Sequence, residues 1–221
     1  MEILYKDKNL IAVYKEAGIP SQPDPSEDAD AMTLLSAQLA EEGERNTELF
    51  LVHRLDRVVG GVLVFARNKK YAAVLSEAVS DRSAVKEYLA VVEGDAEGGA
   101  LTDLIFKDSR AGKAFIVDRK RTGVKEASLE YLPIEKKEIG GGMLTLVRIR
   151  LHTGRFHQIR AQFSSRGMHI VGDGKYGSRD RSARFPALFA FRFSLNTPTA
   201  KYEFKKMPNT ENYPWSLFNY D

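Results

Sequence analysis

The sequence predicts an α+β fold, with a mostly antiparallel or mixed central sheet and flanking helices, read as one domain over residues 1–221. Two observations carry this. Short apolar runs with strand-like alternation dominate from residue 85 onward, separated by glycine turns such as Gly140-Gly141-Gly142. Only three segments have helical spacing, and no repeat, low-complexity tract or long linker divides the chain.

In order, the runs 3–5 and 10–14 flank a polar tetrapeptide and read as a hairpin. A polar, proline-containing loop covers 20–30. The segment 33–44 reads as a helix with Leu34, Leu35 and Leu39 on one side. Strands are expected at 49–52 and 62–65. Asn68 then caps a helix whose apolar face is Tyr71, Val74, Leu75, Ala78 and Val79. Further strands are expected at 88–92, 115–117, 128–132, 143–151 and 189–193. A last helix is expected over 154–165, capped by Thr153.

Composition excludes several classes. The 221 residues contain no cysteine, so disulfides, thiolate metal sites and a cysteine nucleophile are ruled out. No stretch has the roughly 18 apolar residues of a membrane-spanning helix. The N-terminus lacks a basic and apolar signal region, so a cytoplasmic protein is expected. The net charge of +3 is only mildly basic. Its distribution says more: acid collects at 27–30 and 41–44, base at 67–70, 119–121, 148–160 and 179–184, as on a chain with one face for phosphates. Gly167 to Gly172 has phosphate-loop spacing, but Asp173 stands where the lysine must be. The four histidines form no zinc motif, and no serine elbow is present.

Three constellations can carry chemistry. In His53-Arg54-Leu55-Asp56-Arg57 a carboxylate leaves an apolar strand between two arginines, just before glycines. Nearby cations favour its ionised form, as a nucleophile or base requires; an ordinary strand-end salt bridge also fits. In Thr153-Gly154-Arg155-Phe156-His157-Gln158-Ile159-Arg160 the cation Arg155 lies at a helix start, where an anion is attracted; a solvated basic face fits equally. In Lys86-Glu87-Tyr88-Leu89-Ala90, strand alternation puts Lys86, Tyr88 and Ala90 on one face. Tyr88 could stack on a nucleobase or pack in the core.

Together these segments resemble the RluA-type RNA pseudouridine synthases, and the similarity runs through nearly the whole chain. The opening Ile-Leu-Tyr-x-Asp-x-x-Leu-x-x-Val-x-Lys-x-x-Gly of that family is repeated by residues 3–18. Its His-Arg-Leu-Asp signature is His53 to Asp56, with Gly61 following. Its Lys-x-Tyr-x-Ala strand is Lys86, Tyr88 and Ala90, and its Thr-Gly-Arg-x-His-Gln-Ile-Arg is Thr153 to Arg160. Ile170, Gly172, Asp173, Tyr176 and Gly177 match a further turn, and Pro198-Thr199 with Pro208 a closing strand. Val59-Gly60 departs from the family's usual hydroxyl residues, Phe156 stands where threonine is common, and Phe189 where histidine is common.

The resemblance implies a cleft across the sheet, in a family form without an N-terminal S4 RNA-binding domain. It implies isomerisation of uridine to pseudouridine in structured ribosomal or transfer RNA, with no cofactor and no metal. Asp56 would be the catalytic aspartate, Arg155 its ion-pair partner and Tyr88 the aromatic under the uracil. Arg54 would enter the stack that the flipped base vacates. His53, Arg57, Lys86, His157, Gln158 and Arg160 complete the expected RNA contacts. A guanidinium suits Asp56 because it stays charged and can hold a carboxylate with two hydrogen bonds. No protein partner or membrane is expected, and a monomer is. The alternatives are an inactive RNA-binding homologue of the same fold, which Asp56, Arg155 and Tyr88 together disfavour and Val59-Gly60 weakly favours, and a glycosidase or nucleosidase, which a single carboxylate disfavours.

Overall fold

The computed structural model describes residues 1–197 and 200–220. The Pro198-Thr199 part of the closing-strand resemblance lies outside the described residues. The elements run β1 (Glu2–Lys6), β2 (Leu10–Lys15), α1 (Ala31–Glu41), β3 (Phe50–Leu51), β4 (Gly60–Ala66) and α2 (Lys69–Ser80). There follow β5 (Val85–Glu93), β6 (Gly99–Asp108), β7 (Lys113–Val117), β8 (Val124–Ile139), β9 (Gly142–Leu151) and α3 (Gln158–Ser164). The last strands are β10 (Leu188–Asn196) and β11 (Lys201–Lys205), and short 3-10 turns occupy Gly174–Tyr176 and Trp215–Leu217. The α+β class holds, and among the described residues no helix is long and apolar enough to cross a membrane.

The chain divides into two compact units. The first is Met1–Lys86 with Ala190–Met207. Its strands lie in the order β1-β2-β4-β10, with β3 also on β4 and β11 on β10. The β1–β2 hairpin is antiparallel, as the two apolar runs predict. Leu10, Ala12, Val62, Val64, Leu75 and Phe193 are part of one apolar cluster beneath α2, whose Asn68 side chain accepts from Tyr71 N at 2.8 Å. Helix α1 begins earlier than residue 33 because Asp30, in extended backbone, accepts from the amides of Met32 and Thr33 at 3.0 and 3.1 Å. It ends at Glu41, before Gly43 turns into left-handed backbone at φ 85°. Leu35 and Leu39 are buried, but Leu34 is 37% exposed and is not part of that face.

The second unit is Glu87–Phe189 with Pro208–Asp221, and its strands lie in the order β5-β9-β8-β6-β7. Strand β8 extends far beyond the expected 128–132, pairing β6 on one side and β9 on the other. Strand β6 has no counterpart in the sequence reading, because its apolar run Leu104-Ile105-Phe106 is short and set among charges. Helix α3 packs on this sheet through Ala161, against Ile105, Ala114 and Ala127.

One glycine decides how closely β4 approaches β10. Gly61 has φ 131°, and a Cβ there would overlap the backbone of Ala190. It also stands opposite Lys15 in the β2–β4 ladder, five residues after Asp56. We expect Gly61→Ala to destabilise the protein by about 3 kcal/mol in denaturant unfolding, from the forced shift of β10 and the strained φ. Unchanged stability would show that the two strands can move apart freely.

Candidate active site

Asp56 sits in the turn between β3 and β4, and its neighbours on both sides are held by the loop after β2. Before it, Ser21 Oγ donates to the Leu55 carbonyl at 2.9 Å, and the Leu55 amide donates back to Ser21 Oγ at 3.0 Å. After it, the Gly18 amide donates to the Arg57 carbonyl at 2.7 Å, and Arg57 Nε donates to the Gly18 carbonyl at 3.0 Å. The Val59 amide closes the turn on the Asp56 carbonyl at 3.0 Å. The hydroxyls missing at Val59-Gly60 are thus not the supports that this turn uses.

The deepest support is Lys15. It ends the apolar strand β2 with 0% exposure, and its ammonium donates to the carbonyls of Ile19, Glu16 and Arg57 at 2.7, 3.0 and 3.3 Å. Burial pulls its pKa down to about 7, against which the Asp56 carboxylate favours the charged form. A buried cation next to Asp56 favours the ionised carboxylate in return. Sequence reasoning missed both Lys15 and Ser21. The available signal was a lysine at the end of an otherwise apolar strand.

The other residues of this segment have distinct environments. Arg54 is exposed. The Arg57 guanidinium is tied to Ser26 Oγ at 3.0 Å and to the Asp28 carboxylate, so it braces the loop. His53 stacks on Phe193 with ring centres 4.7 Å apart, and its Nε2 accepts from the Val64 amide at 3.1 Å. Burial, with a smaller push from Lys86, takes its pKa down to about 3. The ring is therefore a neutral acceptor at ordinary pH.

In the second unit the segment before α3 departs from expectation. The helix starts at Gln158, because His157 adopts left-handed backbone at φ 51°. Thr153 does not cap it, and Arg155 lies in the preceding loop. Gln158 organises that loop: its Oε1 accepts from Thr153 Oγ1 at 2.7 Å and from the Arg155 amide at 3.0 Å, while Nε2 donates to the Ser128 carbonyl and to Gln162. Arg155 Nε donates to the Glu126 carbonyl at 2.9 Å, which anchors the guanidinium on β8. Arg160 is 4% exposed and holds Asp173, 1% exposed, through two bonds of 2.6 and 2.8 Å. The match at Gly172 and Asp173 is thus the anchor of α3. His157 meets the Tyr176 hydroxyl at 2.9 Å, and its pKa falls to about 3 through burial and the cations Arg160, Lys175 and Lys107.

Tyr88 lies on β5, 8% exposed. Lys86 and Glu87 beside it are also buried, and Glu87 pairs with Arg148 at 2.8 Å. Among the described residues no group of three histidine, aspartate or glutamate side chains could hold a metal ion.

A family described as RNA pseudouridylate synthase matches residues 9–165, a span that contains Lys15, Asp56, Tyr88 and Arg155. The chain belongs to the RNA pseudouridylate synthase family. It is 29% identical over 211 residues to the ribosomal large subunit pseudouridine synthase D of Borreliella burgdorferi, covering 92% of this chain and 63% of that protein. It is 33% identical over 195 residues to the tRNA pseudouridine synthase C of Haemophilus ducreyi, covering 83% and 77%. The chain thus spans less than two thirds of the Borreliella relative, and 58% of an uncharacterized RNA pseudouridine synthase of Aquifex aeolicus. The solved human RNA Pseudouridylate Synthase Domain Containing 4 shares the fold, with TM-score 0.76 at 24% identity over 94% of this chain and 89% of that one. Human RNA Pseudouridylate Synthase Domain Containing 1 gives 0.74 at 25%, covering 95% and 83%.

The His53 environment has a pH signature. The folded pKa lies below the unfolded value near 6.5, so the unfolded chain binds the proton more tightly between them. The stabilising effect is complete above pH 6.5 and is lost as pH falls towards 3. Carbon-detected NMR of the histidine rings should show His53 neutral down to pH 5, whereas a midpoint near 6.5 would contradict this environment.

Proposed function

We propose that this protein isomerises uridine to pseudouridine in RNA, with Asp56 as the catalytic carboxylate. The observation that carries the reading is the support of Asp56: both neighbouring residues are held by backbone hydrogen bonds, and a buried ammonium stands beside it. A strand-end aspartate in an ordinary surface pair needs none of this.

The chemistry fits such a group. The C1′–N1 bond of the uridine breaks, the base turns, and a C1′–C5 bond forms. The hydrogen on C5 leaves as a proton and N1 gains one, with no net oxidation. A preorganised carboxylate can stabilise positive charge developing at C1′, attack there, or accept a proton from C2′. Extruding the uracil from the RNA costs a few kcal/mol, which phosphate contacts offset.

We assign Arg155 as the ion-pair partner of the carboxylate and Tyr88 as the ring under the uracil, from the motifs they occupy. The loop supports this for Arg155, because Nε is anchored on Glu126 while the planar fork can present two further donors to an anion. Exposed Arg54 suits entry into a vacated stack, and the basic segments suit phosphates, whereas buried Lys86 would serve from within β5. Arg57, His53, Gln158 and Arg160 would serve by holding the loops that carry these groups. The relatives' names support ribosomal and transfer RNA as candidate substrates, and a cytoplasmic protein suits either.

The test is tritium release from RNA labelled at C5 of uridine, extracted from cells lacking the protein. The wild-type chain should release tritium. Asp56→Asn should lose release by at least about a thousandfold while binding RNA within a few-fold, since the side chain keeps its size. Binding without release by the wild type would leave an RNA-binding homologue, and near-normal turnover by Asp56→Asn would remove Asp56 from the mechanism.

A further inference from the structure

Beside the Arg155 loop, three lysines gather on an aromatic floor. Lys107 is the last residue but one of β6 and Lys113 opens β7, on either side of one hairpin turn. Lys175 belongs to the 3-10 turn at Gly174–Tyr176. Lys107 Nζ stands 4.8 Å from the centre of the Phe156 ring, and Lys113 Nζ stands 4.9 Å from that of Tyr176. A Cβ on Gly112, in the hairpin turn, would lie 3.3 Å from Lys175 Nζ. The floor is continuous: Phe156 stacks on His157 at 3.8 Å, and His157 bonds to the Tyr176 hydroxyl.

Among the described residues no carboxylate forms an ion pair with any of these three ammoniums. The acids nearby are committed elsewhere. Asp108 Oδ1 accepts from the amides of Arg110 and Ala111 at 2.9 and 3.0 Å, and Asp173 is held by Arg160. Other lysines of the chain do find carboxylates, as Lys6 does with Glu44, Lys136 with Asp95 and Lys206 with Glu2. Here the ammoniums border one aromatic surface instead, and aromatic faces hold two of them in place. Such an arrangement repels itself unless an anion completes it. A neutral imidazole beneath the cations adds a polar surface without opposing a negative ligand.

We propose that Lys107, Lys113 and Lys175 form a cradle for the phosphate backbone of the RNA substrate, with Phe156, His157 and Tyr176 as its floor. This rests on the reading of the protein as an RNA-modifying enzyme. Because Phe156 directly follows Arg155, phosphates held here would lie beside the loop that carries that guanidinium.

The experiment compares the wild type with the triple variant Lys107→Gln/Lys113→Gln/Lys175→Gln and with the corresponding triple arginine variant. Filter binding to RNA from cells lacking the protein is measured across a salt series, and tritium release is measured separately at saturating RNA. The glutamine variant should bind roughly ten- to a hundredfold more weakly at about 0.1 M salt. Its dependence of log affinity on log salt should be shallower by about two, because each lost phosphate contact removes roughly 0.7–0.9 from the slope. The arginine variant should restore both. Lys175→Gln alone, at an exposed position, should show about one third of the slope change. Wild-type affinity and slope in the glutamine variant, or no rescue by arginine, would overturn the cradle. Wild-type binding without tritium release would overturn the enzymatic reading while the slopes still decide the cradle. Failure of the wild type to bind RNA would overturn both.

Discussion

A fully buried ammonium is costly, and the fold around Asp56 is arranged to keep one. Burial draws Lys15 at the end of β2 towards its neutral form, and three carbonyls that accept from it and the Asp56 carboxylate oppose that loss of charge. Those acceptors belong to the loop after β2 and to the residue after Asp56. Satisfying the lysine therefore fixes the loop, and fixing the loop fixes the aspartate. Gly61, opposite Lys15, lets β4 lie close to β10 and so sets where the turn ends. Ser21 completes the arrangement from the other side. One electrostatic requirement thus converts a short surface turn into a defined position for a carboxylate.

The second unit solves a similar problem with different groups. The loop that carries Arg155 lies just before α3 and is held by the first residue of that helix. Gln158 is that residue, and its one amide side chain satisfies the Thr153 hydroxyl, the Arg155 amide and the Ser128 carbonyl. Arg160 then pins α3 to Asp173 in a buried, two-bond pair whose removal on one side would cost roughly 3–5 kcal/mol. Several of the polar groups in the family-like motif act on this framework, while Arg155 is held on it through Nε.

Much of this was legible in the sequence. The apolar runs of β2 and β4, the alternation of β9 and the Asn68 cap are local signals, and the structure follows them. The 154–165 helix was read too long because a glutamine and a histidine inside an apolar spacing look like helical interior. Only the folded chain shows that Gln158 reaches backwards and that His157 turns left-handed. Strand β6 was missed because its inward positions show only when β7 and β8 lie on either side. Asp56 could be picked out from its neighbours, but Ser21 could not, since it sits in what reads as a polar connecting loop. The cluster of Lys107, Lys113 and Lys175 is spread over some seventy residues and has no sequence signature.

The claim on which the account turns is that Lys15 positions Asp56, and a single comparison addresses it. Lys15→Met keeps the chain length and the burial but removes the charge and the three hydrogen bonds. Single-turnover rates and RNA affinity would be measured for this variant and for Ser21→Ala, with thermal unfolding to confirm that each is folded. The account predicts that Lys15→Met slows turnover by about a hundredfold or more while RNA affinity stays within about threefold, and that Ser21→Ala gives a smaller loss of the same kind. A folded Lys15→Met protein that turns over at the wild-type rate would contradict it.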